Sequence, residues 1–543
     1  MKLILRAFAL IAIVAAGLWF GARHEVGSEA MPVVNASAGA VERGAAAFVG
    51  ADFGGLSLQT LQSHAVPWKL VTAALVLDAV DSDPTLALDQ DTLDKALGAF
   101  GLLVQARVQN MPVGVSDRPE TLPLGVTHGT ISPMAGMPVQ VANMGCAACH
   151  AGVTYNAEGR PDPKTAWIGA PNTSLNLEAY TQAIFQTLKT YQQTPDQLME
   201  AVTTLYPEMG WRERQTLRWV ILPMVGARLD DITGDRPLPF SNGVPGSTNG
   251  VAALKYVFDV PLLGGGPGDA GIVSIPDLGH RHWRSSLLAD GAYAIPQTER
   301  QTETTAADNT ADKRAALATI TTFFTVPSMG VHPDKAIEAI PVAKDIYTFL
   351  DQAYQSQPFP GVIDIDLALA GATIYADQCS ACHGVYAHQN ERLTLVSFPN
   401  WMGDVGTDPL RAQAFTQELV ETFQDTPYRD QIAVARTGAY VAPPLDGLWA
   451  SAPYLHNGSV PTLWHLLTPD ARPETFELGG HMLDFTRVGV RLDNRRYPAD
   501  YERFSQPVIL DTTQSGLGNQ GHDFGAALSD GDKAALIEFL KQL

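Results

Sequence analysis

Cys146-Ala147-Ala148-Cys149-His150 and Cys379-Ser380-Ala381-Cys382-His383 are two copies of one pattern, C-x-x-C-H, and between them they use all four cysteines of the chain. Two thiols separated by a short turn can add to the two vinyl groups of one porphyrin. The adjacent histidine then lies beneath the iron as its proximal ligand. A chain that carries the pattern twice must build two clefts for flat, apolar, iron-bearing groups. Other uses of paired cysteines explain less of it. Zinc would need the two pairs to meet in space and gives no reason for a histidine directly after each. A thiol redox pair sits at a helix start after a strand and needs no histidine there either. The chain therefore reads as holding two covalently bound haem c groups, one on Cys146, Cys149 and His150, the other on Cys379, Cys382 and His383.

With 543 residues, 45% hydrophobic and 17% charged, the chain has the length of two to four domains and the composition of a globular protein with a sizeable core. Its net charge of −21 argues against nucleic acid and anionic lipid as partners. Such acidity first means solubility, and secondly could steer a basic electron-donor protein. Met1-Lys2-Leu3-Ile4-Leu5-Arg6 followed by the apolar run Ala7 to Ala22 is an export signal. The run falls short of the roughly 20 residues of a comfortable membrane span. No small-x-small site closes it, because Phe20 stands where a small residue belongs, and Ala36-Ser37-Ala38 lies well downstream. Cleavage and a retained inner-membrane anchor over 7–22 both stay open. Either way the body faces an oxidising compartment and is periplasmic or secreted, touching membrane only through this segment.

Taken in order, 1–30 reads as signal peptide or anchor and 31–89 as an N-terminal tether with helices, including a first surface helix before Ser63. Residues 90–360 read as the first haem c domain with an expanded distal-pocket insert, and 361–543 as the second. Apolar periodicity predicts helices over Leu70–Leu77, Leu93–Val108 and Leu177–Tyr191, the last with Leu177, Tyr180, Ile184 and Leu188 on one face. Two more are expected around Pro195–Tyr206, opened by Thr194 as N-cap, and Trp211–Leu222. Val139 to Met144, just before Cys146, alternates like a strand. A turn is expected at Gly159-Arg160-Pro161-Asp162-Pro163. Gly264-Gly265-Gly266-Pro267-Gly268 lacks the Lys-Ser/Thr ending of a phosphate loop and reads as a plain loop. Gln301 to Arg314 is polar and reads as a mobile loop or helix start, and Gln357-Pro358-Phe359-Pro360-Gly361 as a rigid linker at the domain boundary. Leu367, Ala370, Gly371, Ile374 and Tyr375 line the helix that delivers Cys379. A closing helix capped by Ser529 should pack upon it. The expected fold class is mainly α: two c-type cytochrome haem domains with long loops and little β structure.

Outside the haem motifs the densest functional cluster is Ile275 to Arg284. Its His280, His282, Trp283 and Arg284 are candidates for a distal haem pocket, arginine serving the propionates and histidine or an aromatic ring standing near iron. The competing reading is a solvated loop with one packed tryptophan.

The two C-x-x-C-H motifs, Leu122-Pro123-Leu124-Gly125 ahead of the first, the stretch Ala452 to Leu463 and Gly521-His522-Asp523-Phe524-Gly525 together resemble the bacterial dihaem cytochrome c peroxidase superfamily, in its rubber-oxygenase-like branch. The likeness runs over about 90–543 and is loose from Gln192 to Gln357. It implies a reactive N-terminal haem on His150 and a C-terminal electron-transfer haem on His383. For the sixth ligand of the second iron His522 is preferred, with His456 and Met482 as rivals. It also implies calcium between the haem domains. No D-x-D-x-D-G loop is present, so that site would be built from backbone carbonyls. The distal acid and amide of a peroxidase have no evident counterpart here.

Two functions follow. As an enzyme the chain would cleave peroxide or use dioxygen on an organic substrate at an open first iron, with an electron-donor protein where reduction is required. As an electron carrier both irons would be six-coordinate, the first closed by Met134, Met137 or Met144. A redox sensor is a third possibility, without an effector motif to support it. The enzyme reading is preferred because several hundred residues beyond the haem segments suit a pocket and lid better than a two-electron carrier.

Overall fold

The computed structural model describes residues 37–50, 65–117, 123–134, 136–232, 234–262, 271–328, 333–389, 392–493 and 497–543. The N-terminal apolar run, Ala36, Leu122 and the Gly264–Gly268 loop lie outside the described residues.

The first motif is delivered by a β-hairpin. Val126–Met134 pairs antiparallel with Met137–Met144, Val126 opposite Met144, and Val66–Pro67 adds a third strand at Ala142. Val139 and Val141 are fully buried while Gln140 between them is not, which is the period-two burial of a half-covered strand. Gly145 ends the strand and Cys146–Cys149 forms one helical turn. Gly125 fits against that turn at φ +79°, where a Cβ would lie 1.8 Å from the Ala148 nitrogen, so only glycine is accommodated. Beyond His150, Ala151–Tyr155 pairs with Pro161–Ile168, and Arg107–Val108 lies parallel to the latter. The expected turn is therefore shorter: Asn156 Oδ1 accepts from the Glu158 and Arg160 amides, and Pro161 already begins a strand.

A helical layer covers this hairpin. Trp68–Ser82 packs on Leu177–Tyr191 and Pro195–Leu205. Asn176 caps the second of these, accepting from the Ala179 amide. Thr194 occupies the expected cap position of the third, but its side chain makes no cap bond. Trp211–Thr216 runs through a π-turn, Leu217–Ile221, into Leu222–Asp231. The helix expected over Leu93–Val108 is Gln90–Ala99. It stops at Gly101, whose φ of +79° and contact with the Ser174 carbonyl force the chain away.

Ala311–Ser328 and Ile340–Gln352 pack together, and Ala40–Gly50 lies across the second of them. The expected first surface helix is thus a buried one. Ala45, Ala46, Ala47, Phe48 and Val49 are all buried, and Gly44 lets the backbones approach at Asp345. The polar stretch before Ala311–Ser328 is ordered by a capping box between Thr305 and Asp308.

In the C-terminal part Ile365–Gln378, capped by Asp364, delivers Cys379. Asp530–Leu540, capped by Ser529, packs along it as expected. Gly371 sets the crossing, since a Cβ there would meet the Ala535 carbonyl at 1.9 Å. The buried face is Ala368, Gly371 and Tyr375, with Ala370 turned to solvent. After His383 the hairpin Val385–Gln389 and Arg392–Phe398 pairs with Thr304–Thr305 from the preceding half. The segment around Gln357 is bonded on both sides: Trp449 Nε1 donates to the Gln357 carbonyl, and Tyr354 and Ser356 donate to Asp277. One apolar core runs through both halves.

The expectation of a mainly α fold with little β structure is overturned. Helix makes up 40% and strand 17%, a mixed α/β content with many small sheets. Among the described residues these sheets have two or three strands each. Many strands are two residues long and pair across long sequence distances, as Tyr293–Ala294 does with Ala433–Val434. Such pieces carry no readable period-two pattern.

Candidate haem-binding site

Both C-x-x-C-H turns open onto one cavity of about 1410 Å³, walled by Cys146, Cys149, His150, Cys379, Cys382 and His383. That exceeds the roughly 300–1,000 Å³ of a single-ligand pocket. Among the described residues no group of three or more His, Cys, Asp or Glu side chains could hold a metal, so the cysteine pairs do not converge on one ion. Burial pushes the Cys146 and Cys149 thiols up to about 12 and Cys379 up to about 11. In these surroundings they are neutral thiols.

The two proximal histidines are held alike. His150 Nδ1 lies 3.0 Å from the Pro276 carbonyl, and His383 Nδ1 lies 2.8 Å from the Pro443 carbonyl. A carbonyl only accepts, so each Nδ1 carries the proton and each Nε2 keeps its lone pair for a metal. Burial lowers both pKa values, His150 to about 4, which keeps the rings neutral and ligand-competent.

Opposite His383 stands His522, with ring centroids 6.2 Å apart. That gap admits one ion at a metal–imidazole bond of about 2 Å on each side. His522 sits at φ +52°, a left-handed conformation that costs an ordinary residue about 1–2 kcal/mol. Its amide is tied to the Val405 carbonyl and Gly521 is pressed on Gly406. His456 also reaches the cavity, but its ring stacks on Tyr440 at 4.2 Å and its Nε2 meets the Tyr440 hydroxyl. Met482 is buried and is not part of the cavity wall.

On the His150 side, among the described residues, no ring stands against the imidazole as His522 stands against His383. The wall there is built mostly of apolar side chains, Tyr180, Ile184, Phe185, Ile221, Val225 and Leu229, with Thr181, Arg228 and Asp231 of the same helices among them. The predicted face Leu177, Tyr180, Ile184 and Leu188 thus looks into the cavity. Met144 reaches the wall. Met137 begins its strand seven residues earlier, about 23 Å away at strand rise.

Of the predicted distal cluster, Arg284 walls the cavity, and His280, His282 and Trp283 do not. Trp283 packs on Leu395 and Phe398 of the second hairpin. His282 donates from Nε2 to Asp351 at 3.3 Å and is held neutral by burial and by His280, Lys313 and Arg314. His280 bonds Asp446 through Nδ1 at 2.8 Å. Arg281, the second arginine of the predicted cluster, also reaches the wall, as does Arg411, which sequence reading passed over. Burial lowers the Arg281 pKa, and burial together with Arg281 lowers that of Arg284 to about 9. The Nε atoms of Arg284 and Arg411 are buried without a partner. Buried, crowded guanidiniums with unpaired N–H groups call for an anion, and haem propionates supply one. Thiols, oriented imidazoles, largely apolar walls and buried guanidiniums with free Nε–H groups on Arg284 and Arg411, the latter also paired with Asp290 at 2.7 Å, together fit a c-type haem.

A family model described as RoxA-like, cytochrome c-like matches residues 439–477. The C-terminal part therefore contains a RoxA-like cytochrome c domain. It includes Pro443, the acceptor for His383, and it implies a c-type haem in a haem-binding oxidoreductase. Two relatives come from Sinorhizobium fredii (strain NBRC 101917 / NGR234). "Uncharacterized protein y4iJ" is 24% identical over 530 residues, covering 84% of this chain and 85% of that protein. "Uncharacterized protein y4iM" is 33% identical over 193 residues, covering 30% of this chain but only 43% of that protein.

Proposed function

We propose that the chain is a dihaem oxidoreductase of the dihaem peroxidase superfamily, in its rubber-oxygenase-like branch, that oxidises an apolar organic substrate at the His150 haem and stores electrons at the His383 haem. The observation that carries this reading is the asymmetry of the cavity: a second imidazole faces His383, and an apolar wall faces His150. A haem with one open face binds and activates dioxygen or peroxide. Cys146 and Cys149 would tether the first group and Cys379 and Cys382 the second, with Arg281, Arg284 and Arg411 toward the propionates. The Pro276 and Pro443 carbonyls keep each proximal ring neutral and correctly turned. The wall built from Leu177–Tyr191 and Leu222–Asp231 excludes water and selects apolar substrate. No histidine acid-base group reaches that wall, since His280 and His282 are bonded elsewhere.

The two-domain division at 360–361, a periplasmic or secreted site with membrane contact only through residues 7–22, and an electron-donor protein belong to the same reading. So does calcium held by backbone carbonyls. The alternative is a dihaem electron carrier with both irons six-coordinate, for which Met144 at the cavity wall is a candidate ligand.

Optical spectra of the oxidised and dithionite-reduced protein, with and without carbon monoxide, decide between them. One carbon monoxide bound per two haems is expected. Two low-spin haems that ignore carbon monoxide would leave the carrier.

A further inference from the structure

The segments that orient the two proximal histidines also touch each other. Pro276, the acceptor for His150, precedes Asp277, Gly279 and His280. Pro443, the acceptor for His383, precedes Leu445, Asp446 and Gly447. A Cβ on Gly279 would lie 2.3 Å from the Asp446 Cβ, and a Cβ on Gly447 would lie 2.3 Å from Asp277 Oδ2. Two glycines therefore press the segments together, and His280 Nδ1 closes the bridge to Asp446 Oδ1 at 2.8 Å.

We infer that Asp277 and His280, bridged by Asp446, form one proton-binding unit between the two haem sites, which takes up a proton when a haem is reduced. The inference rests on haem at both motifs. Asp446 Oδ2 is buried and has no hydrogen-bond partner, so His280 is the one group that bonds this carboxylate directly among the described residues. Asp277 is 4% exposed. It accepts from the Gly279 amide at 2.7 Å, Tyr354 hydroxyl at 2.8 Å and Ser356 hydroxyl at 2.9 Å.

Burial, with a smaller push from Asp446, moves Asp277 up to about 7 in spite of those three donors. Burial opposes a charge on His280, but Asp446, Asp277 and Asp351 outweigh it and hold its pKa above the ordinary value. The other groups that face the unit are Arg281 and Tyr347, Tyr354 on the Asp277 side, Tyr375 and Tyr386 on the Asp446 side, and His282, Lys313 and Arg314 beyond His280. None of the tyrosines titrates near neutrality, because burial raises each of them. Asp277 and His280, joined through Asp446, thus share protons whose number changes near pH 7.

The step balances simply. A one-electron reductant converts one ferric haem to ferrous, and one proton from solvent binds the unit, offsetting the added negative charge. Linkage gives the sign. The reduced state binds the proton more tightly, so its pKa for the unit lies above that of the oxidised state. Between those two pKa values the midpoint potential falls by up to about 59 mV for each tenfold loss of protons. Outside that window it is flat.

The test is a spectroelectrochemical titration of the dihaem protein from pH 5 to pH 9, alongside Asp277→Asn and His280→Gln. At least one haem potential should fall with pH through neutrality in the unaltered protein, and the slope should flatten in both variants while each keeps two haems and its low-spin spectrum. If one variant fails to fold, the other and the unaltered protein still decide. Potentials independent of pH would overturn the inference. So would a slope unchanged in every folded variant, which would place the proton elsewhere, for instance on a propionate. A chain that attaches fewer than two haems would instead defeat the functional reading, and the haem count shows this before any titration.

Discussion

At His383 and His150 the same five-residue pattern meets two different surroundings. Both rings give their Nδ1 proton to a proline carbonyl, Pro443 or Pro276, and both are kept neutral by burial. Around them everything else differs. A helix delivers Cys379 and a second helix locks it at Gly371, whereas a hairpin delivers Cys146 and Gly125 locks it against the backbone of the motif itself. His522 faces one imidazole at 6.2 Å, and an apolar wall lies beyond the other. On the proposed reading the covalent motif sets where a haem hangs, and the side chain across the cavity sets whether its iron transfers electrons or reacts.

The sharpest way to break the comparison is to remove one attachment at a time. Replacing Cys146 and Cys149 by serine should halve the haem content and abolish carbon monoxide binding. The same change at Cys379 and Cys382 should halve it while carbon monoxide binding survives. Mass spectrometry and the reduced spectrum read both, and carbon monoxide binding that follows the second site would reverse the assigned roles.

His522→Ala should open the second iron and raise bound carbon monoxide from one to two per chain. His456→Ala should leave it at one, because that ring is engaged with Tyr440. The opposite pattern would make His456 the ligand.

The two glycine locks set the next scale. Gly125→Ala combines a left-handed φ with a backbone clash and should cost on the order of 3 kcal/mol. Gly371→Ala, a clash across a helix pair that can slide, should cost on the order of 2 kcal/mol. Denaturant melts of the dihaem protein would show the order, and equal losses would mean that both crossings relax alike.

Acid should separate the two regions most gently. His128 lies in the first hairpin, edge-on to Trp68, both ring nitrogens buried without a partner. Burial, with Lys69, lowers its pKa to about 3. Its folded pKa lies below the unfolded value, so the neutral ring is tolerated at full stability above about pH 6.5. Stability is lost as the pH falls toward 3, amounting to roughly 2 kcal/mol by pH 5. His128→Phe should remove that part of the acid slope, and an unchanged slope would place the sensitivity in another buried histidine such as His481.

Local chemistry made part of the molecule legible. The two haem turns, the strand before Cys146, the helices over Leu177–Tyr191 and Ile365–Gln378, and the packing of the closing helix all follow from spacing, periodicity and caps within one segment. The small sheets were hidden because each joins two-residue pieces from distant parts of the chain. The Ala-rich Ala40–Gly50 looked like surface because small residues give a weak apolar signal, yet small size is what lets it cross Ile340–Gln352 closely. His280, His282 and Trp283 stay together in space, the His282 and Trp283 rings 5.9 and 5.4 Å from that of His280, but a left-handed residue at His280 and a tight turn behind it turn them away from the cavity and send only Arg284 to its wall.

The amino-acid sequence alone determined the chemistry of attachment, since two thiols and a histidine at fixed spacing need only one turn of backbone to act together. Which imidazole faces which, which wall is apolar, and how His280 comes to bond Asp446 were decided by the tertiary structure. Those contacts join residues more than a hundred positions apart, and only the packing of one shared core brings them face to face.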